Sequence, residues 1–263
     1  MRTLKRITRG IPGLYLLLIL LLMYLPIVVV VAYSFNAQPK GLMWTGFTTE
    51  WYPALFQNRQ IMASFKNSLI VAGWSCLIAG VIGTLGAVAL SRTKIRSAAA
   101  LETVAMLPIM TPEIALAMAF LVTFSLVGLP SGMLALVLSH ATFCIPYILI
   151  IVRTRLTGLN PSYEEAARDL GAGPVRAFIT VIVPLIAPAI LSGVLLAFAM
   201  SMDDVIISFF MAGPTSTTFP VYVFGKLKTD VPPTINAMCT VTLGVTFIAV
   251  AASQLLRSKG SNT

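Results

Sequence analysis

Long apolar runs, separated by short polar stretches rich in proline and glycine, organise this chain. The run from Ile11 to Tyr33 would reach about 35 Å as a helix at ~1.5 Å per residue, enough to cross a bilayer. Comparable runs predict further spans at about 67–90, 98–127, 133–152, 181–202 and 234–256. The third is too long and too broken for one straight helix, because Pro108 and Pro112 interrupt it. The uncharged stretch from Gly128 to Gly132 reads as a tight turn. Val205 to Gly213 is apolar but too short to cross, so a re-entrant or interfacial piece is expected, and Gly213 to Thr218 turns the chain. Between the first two spans, Trp44, Trp51 and Tyr52 suit an interfacial segment. Gly80, Gly83 and Gly86 give the second span a small face for helix packing. The expectation is an all-α polytopic membrane protein: one transmembrane domain over 1–263, six spans, and a polar loop at 153–180.

Composition supports the membrane reading. The chain is 57% hydrophobic and 10% charged, with mean hydropathy +0.91, whereas a soluble domain carries about 25% charged residues. The net charge of +9 does not point to nucleic acid, because the basic residues bracket apolar runs instead of forming an aromatic-laced patch. Arg2, Lys5, Arg6 and Arg9 open the chain as in a signal peptide. No small-x-small cleavage site follows the first run, so a retained anchor is expected. Six spans put those residues on one side with Arg92, Lys94, Arg96, the arginines of the 153–180 loop, Arg257 and Lys259. Only Lys40, Arg59, Lys66, Lys226 and Lys228 face the other. The positive-inside rule then makes both ends and the loop cytoplasmic. Cys76, Cys144 and Cys239 lie far apart in sequence within apolar segments, as small buried hydrophobes would, and neither a disulfide nor a metal site is expected.

The loop itself predicts a helix–turn–helix elbow. Asn160 or Ser162 can cap a first helix, Ser162 with Glu165 fits a capping box, and Pro161 is tolerated in a first turn. Gly171 stands where a helix stops in a left-handed turn, and Gly173-Pro174 starts a second helix. Small residues around Glu165, Ala166, Ala167, Leu170 and Gly171 let another surface approach the backbone. An ordinary loop helix has the same local signals. The run Glu165-Ala166-Ala167, Gly171, Val181, Val183 and Pro184 resembles the E-A-A-x(3)-G-x(9)-I-x-L-P signature of permease subunits of ATP-binding-cassette importers, with Val at the Ile and Leu positions. The resemblance implies a type I importer permease fold in the bacterial cytoplasmic (inner) membrane. It also implies an elbow, including Glu164, docked on a separate cytoplasmic ATPase. This chain has no P-loop. It is expected to be a non-catalytic subunit without cofactor, with ATP and magnesium held by the partner.

Acids inside apolar spans are expensive and usually have a partner or a task. Glu113 follows the proline break of the third span, and Asp203 and Asp204 lie near one end of the fifth, with no Lys or Arg inside either segment. A cationic ligand would supply the missing charge. The alternatives are structural: Thr111-Pro112-Glu113 reads as an N-cap, an N1 proline and a dipole-favoured acid, and either aspartate could cap a helix starting near Val205. Ser201 to Val205 is similar to the spermidine/putrescine subgroup of these permeases. So are Met110 to Ile114, Ser139 to Tyr147, Tyr33 to Asn36, Gly46 to Thr49, Trp51-Tyr52 and Ile235 to Ala237, although the subgroup often has Asp at the Glu113 position. That implies a second permease chain, two copies of the ATPase and an extracytoplasmic binding protein that delivers a polyamine. Tyr147 and Trp74 could stack on an amine by cation–π contact, or serve packing and the aromatic belt. His140, the sole histidine, reads first as a helix-packing hydrogen bond. A secondary transporter using Glu113 and the aspartates would need inverted repeats, which are not evident. A di-aspartate intramembrane enzyme is disfavoured, because adjacent residues on a helix point about 100° apart.

Overall fold

The computed structural model describes residues 2–38, 43–92, 98–160, 162–227 and 232–260. Lys40, Lys94, Arg96, Pro161 and Lys228 fall outside them, as do the side chains of Arg2, Lys5, Arg6, Arg9, Arg92, Arg257 and Lys259. Apart from one bridge between Asn36 and Phe47, the described elements are helices. In chain order they are α1 (Arg2–Tyr33), α2 (Trp51–Gln57), α3 (Arg59–Arg92), α4 (Ala98–Met110), α5 (Glu113–Leu126) and α6 (Met133–Thr157). They continue with α7 (Ser162–Asp169), α8 (Pro174–Ala177), a π turn (Phe178–Ile182), α9 (Val183–Asp203), α10 (Ile206–Met211), α11 (Phe219–Leu227) and α12 (Pro233–Gly260).

Four helical runs are long and apolar enough to cross a membrane: Tyr15–Tyr33, Arg59–Ser91, Met133–Thr157 and Pro174–Asp203. A fifth candidate is the pair α4 and α5, bent by 107° at its break. The bend falls where the sequence places its proline interruption. Thr111 does not cap α5, as its Oγ1 donates to Leu107 O at 2.7 Å in the turn before. Pro112 is the cap residue and Glu113 opens the helix. The sixth expected span, 234–256, lies within α12 but is not among these candidates, since many of its side chains are outside the described residues. α3 and α6 overrun 67–90 and 133–152, and the fifth run starts at Pro174, not at 181. Charged and polar residues at helix ends hide these extensions from a hydropathy reading.

The chain divides into two compact units, Met1–Met62 with Gly225–Thr263, and Ala63–Phe224. In the first, α1 and α2 pack on α12. The aromatic segment after α1 folds on itself. Buried Asn36 donates from Nδ2 to Met43 O (2.8 Å) and accepts from Thr45 N–H (3.0 Å). Trp51 Nε1–H donates to Asn36 O (2.7 Å), Ser34 Oγ meets Tyr52 OH (2.8 Å), and Phe35 stacks on Phe47. Two of the three rings expected to serve a bilayer interface are thus committed to a local turn, and Trp44 stays exposed.

In the second unit α6 is the core helix: 67% of its membrane-length window is buried, against 33% for α3 and 22% for Pro174–Asp203. The reason is legible at Ile148. A Cβ at Gly83 of α3 would stand 3.1 Å from Ile148 Cβ, and one at Gly193 of α9 would stand 3.2 Å from Ile148 Cα. Two glycines therefore bring α3 and α9 onto α6 at backbone distance, where dispersion contacts are densest. Ser75 Oγ donates to Val137 O (2.9 Å) and Arg155 Nε–H to Leu185 O (3.3 Å), tying the same three helices. Cys76 and Cys144 are free, buried and next to one another, a tertiary neighbourhood that their sequence separation conceals.

Candidate functional site

Two polar constellations interrupt the apolar framework. The first is the elbow. The capping box does not form: α7 begins at Ser162 itself, and the Asn160 side chain accepts the Ser162 N–H at 3.0 Å. At its other end Gly171 adopts φ +85°. Gly171 N–H donates to Arg168 O (2.8 Å) and Ala172 N–H to Ala167 O (3.0 Å), a Schellman stop as the sequence predicts. Pro174 then opens α8, which passes through the π turn into α9, so the second arm of the elbow is the start of a span. α7 packs back on α8 and the π turn.

The faces of α7 divide accordingly. Ala167 is buried within the elbow, so only part of the small-residue surface expected from the sequence is available to a partner. Glu165, Ala166 and Gly171 are exposed, Leu170 is 90% exposed, and Val175 beyond the turn is 69% exposed. A free leucine and valine at the tip of a polar turn cost hydration unless something covers them. Glu164 is half-buried and accepts from Arg168 Nη2–H at 2.6 Å, an i,i+4 pair.

The second constellation lies where α9 ends and α10 begins. Asp204 is 5% exposed and caps α10: Oδ1 accepts Ile207 N–H at 3.2 Å and Oδ2 accepts Ser208 N–H at 2.7 Å. His140 of α6, 0% exposed, faces Asp204 Oδ2 with Nε2 at 3.3 Å and Ser208 Oγ at 3.1 Å, while Nδ1 meets Ser201 Oγ of α9 at 2.8 Å. Glu113 lies beside Asp204 and is exposed, and Asp203 is exposed as well. Tyr147 is half-buried on α6 within electrostatic reach of Glu113, whereas Trp74 is exposed on α3. Of the four substrate-path candidates, Glu113 and Asp204 are therefore adjacent, Tyr147 is close to Glu113, and Asp203, within electrostatic reach of Glu113, is exposed where Asp204 is buried. The capping role suggested for either aspartate falls to Asp204.

Sequence reasoning missed the tie between His140 and Asp204. α5, α9 and α10 contain no lysine or arginine, and the Asp204 carboxylate is met by two backbone N–H groups and the His140 ring. A cavity of about 320 Å³ at the α5–α6 turn, lined by Phe124, Leu129, Pro130 and Met211 among others, is separate from these acids. A second, of about 200 Å³, lies between α4 and α6 beside the Glu102–Arg153 ion pair.

Comparison with known proteins gives a consistent result. Residues 79–259 match the family model "Binding-protein-dependent transport system inner membrane component". The chain is 37% identical over 242 residues to the spermidine/putrescine transport system permease protein PotC of Escherichia coli (strain K12), covering 91% of this chain and 92% of that protein. It is also 37% identical over 229 residues to the putrescine transport system permease protein PotI of the same organism, covering 84% and 82%. Among solved structures, a bacterial transporter that imports the acidic polysaccharide alginate superposes with TM-score 0.73 at 16% identity over 96% of both chains. The bacterial alginate transporter in complex with a pentasaccharide-bound periplasmic protein gives TM-score 0.70 at 17% identity.

Proposed function

The chain belongs to the family of binding-protein-dependent inner-membrane transport components, and from that premise we propose that it forms, with a second and different permease chain, the path by which a polyamine crosses the membrane. It is a multi-pass, non-catalytic subunit of an ATP-driven importer. In this reading α12 is the sixth span, both termini and the elbow are cytoplasmic, two copies of an ATPase carry ATP and magnesium, and an extracytoplasmic protein delivers spermidine or putrescine.

The observation that carries the reading is the pairing of Glu113 and Asp204 on helices, α5, α9 and α10, that hold no lysine or arginine. Such a pair repels itself and attracts an ammonium group. Similarity to PotC and PotI favours the same substrate class. The mechanical side follows from continuity. Pro174–Asp203 is one helical run of 30 residues, about 45 Å at ~1.5 Å per residue, with the elbow at one end and the aspartates at the other. A push on the elbow reaches Asp203 and Asp204 through this run and moves them against Glu113, which sits on the bent span. Glu165, Ala166, Leu170 and Gly171 form the docking face, Glu164 braces Arg168, and Ala167 seals α7 to the rest of the elbow.

The test is transport by the whole complex in proteoliposomes, with radiolabelled spermidine and putrescine and loaded binding protein. Saturable uptake that requires ATP and the binding protein is expected. Uptake that continues without ATP and collapses with the proton gradient would overturn the reading in favour of a secondary transporter.

A further inference from the structure

The geometry points to His140 as the positioning residue for the acid pair, an inference that rests on the polyamine reading above. The two backbone donors of Asp204 belong to α10, so by themselves they fix the carboxylate only against the helix it caps. His140 is different: it stands on α6, the core helix, and reaches α9 through Ser201, α10 through Ser208, and the carboxylate itself. One imidazole therefore sets where Asp204 stands relative to the rest of the unit.

The ring stands against the carboxylate as well as against both serines. When Ser201 O–H donates to Nδ1, the ring proton lies on Nε2, which stands 3.1 Å from Ser208 Oγ and 3.3 Å from Asp204 Oδ2. The two serines alone would satisfy a buried imidazole. Contact with Asp204 puts the ring against a carboxylate that lies beside Glu113. A carboxylate free to change rotamer would present a variable spacing to an incoming diamine. One held from three sides presents a fixed spacing, as an organised binding site requires. Loss of the contact should therefore weaken apparent affinity while the fold and the ATPase contact survive.

Two amide substitutions separate the functions of the ring. The amide of His140→Gln reaches the position of Nε2 and can still donate to Asp204. The shorter amide of His140→Asn reaches only the position of Nδ1 and Ser201. In the reconstituted complex with binding protein and ATPase, His140→Gln should hold the half-saturating spermidine concentration within about threefold of wild type, and His140→Asn should raise it about tenfold or more, with equal assembly. If the two variants behave alike, whether both normal or both failing to assemble, the positioning role is overturned.

A second readout does not depend on the substrate. His140 is the sole histidine of the chain, so ¹⁵N-histidine labelling of the permease, purified through a histidine-free tag and combined with unlabelled partners, gives one imidazole spectrum. Asp204→Asn should shift its Nε2 resonance, and an unchanged resonance would overturn the inference. A wild-type complex that imports no amine but shows this shift would sink the polyamine reading and leave the tie between His140 and Asp204 standing.

Discussion

The elbow and the His140–Asp204 cluster are both polar interruptions of an apolar chain, yet they turn their groups in opposite directions. In the elbow Ala167 is buried, while Glu165, Ala166 and Leu170 are exposed. In the cluster the imidazole and the Asp204 carboxylate are buried and fully occupied by three helices. An outward set of unmatched groups fits a partner surface. An inward set defines a geometry within the chain, with Glu113 and Asp203 exposed at its margin. The two are joined by one helical run, Pro174–Asp203.

Substitutions can break this comparison at either end. The largest effect is expected from His140→Leu, which leaves Asp204, Ser201 and Ser208 without their shared partner. Leaving buried polar groups without a partner costs about 1–3 kcal/mol each, and three are affected at once, read as a large drop in thermal unfolding temperature. Gly83→Ala comes next, because its Cβ would meet Ile145 O at 3.0 Å and Ile148 Cβ at 3.1 Å. Overpacking of this kind costs about 1–3 kcal/mol, and thermal unfolding of the purified complex measures it.

Gly171→Val should act locally. A β-branched residue at φ +85° costs about 1–2 kcal/mol. Its signature is loss of the ATPase from pull-downs while membrane insertion stays at the wild-type level. The smallest effect belongs to Glu164→Gln: a surface i,i+4 pair contributes about 0.3–0.5 kcal/mol, so unfolding of the permease should be nearly unchanged. A large destabilisation there would show that the elbow is held by its own charges and not poised for a partner.

Much of this was written locally in the chain. Spans announce themselves by length and hydropathy, the bend by Pro108 and Pro112, and the elbow by Asn160, Gly171 and Pro174, because caps and turns depend on residues a few places apart. The capping box misled because Ser162 and Asn160 compete for the same role, and the Asn160 side chain reaches the first free N–H. The acid cluster was only half legible. Its members could be named, but His140 meets Ser201 and Ser208 across 61 and 68 residues of sequence, a tertiary register invisible to any periodicity. Trp51 and Tyr52 read as belt residues for the same reason, since their partners Asn36 and Ser34 lie in a turn that hydropathy does not describe.

The central claim is that the elbow delivers force from a motor on another chain. Leu170→Cys, in a background with Cys76, Cys144 and Cys239 replaced, puts a single thiol on its most exposed apolar position. A short bifunctional thiol reagent should then join the permease to the ATPase in inside-out membrane vesicles, and the cross-link should suppress ATP-driven polyamine uptake. Labelling of that thiol from the extracytoplasmic side, or a cross-link that never captures the ATPase, would contradict the account.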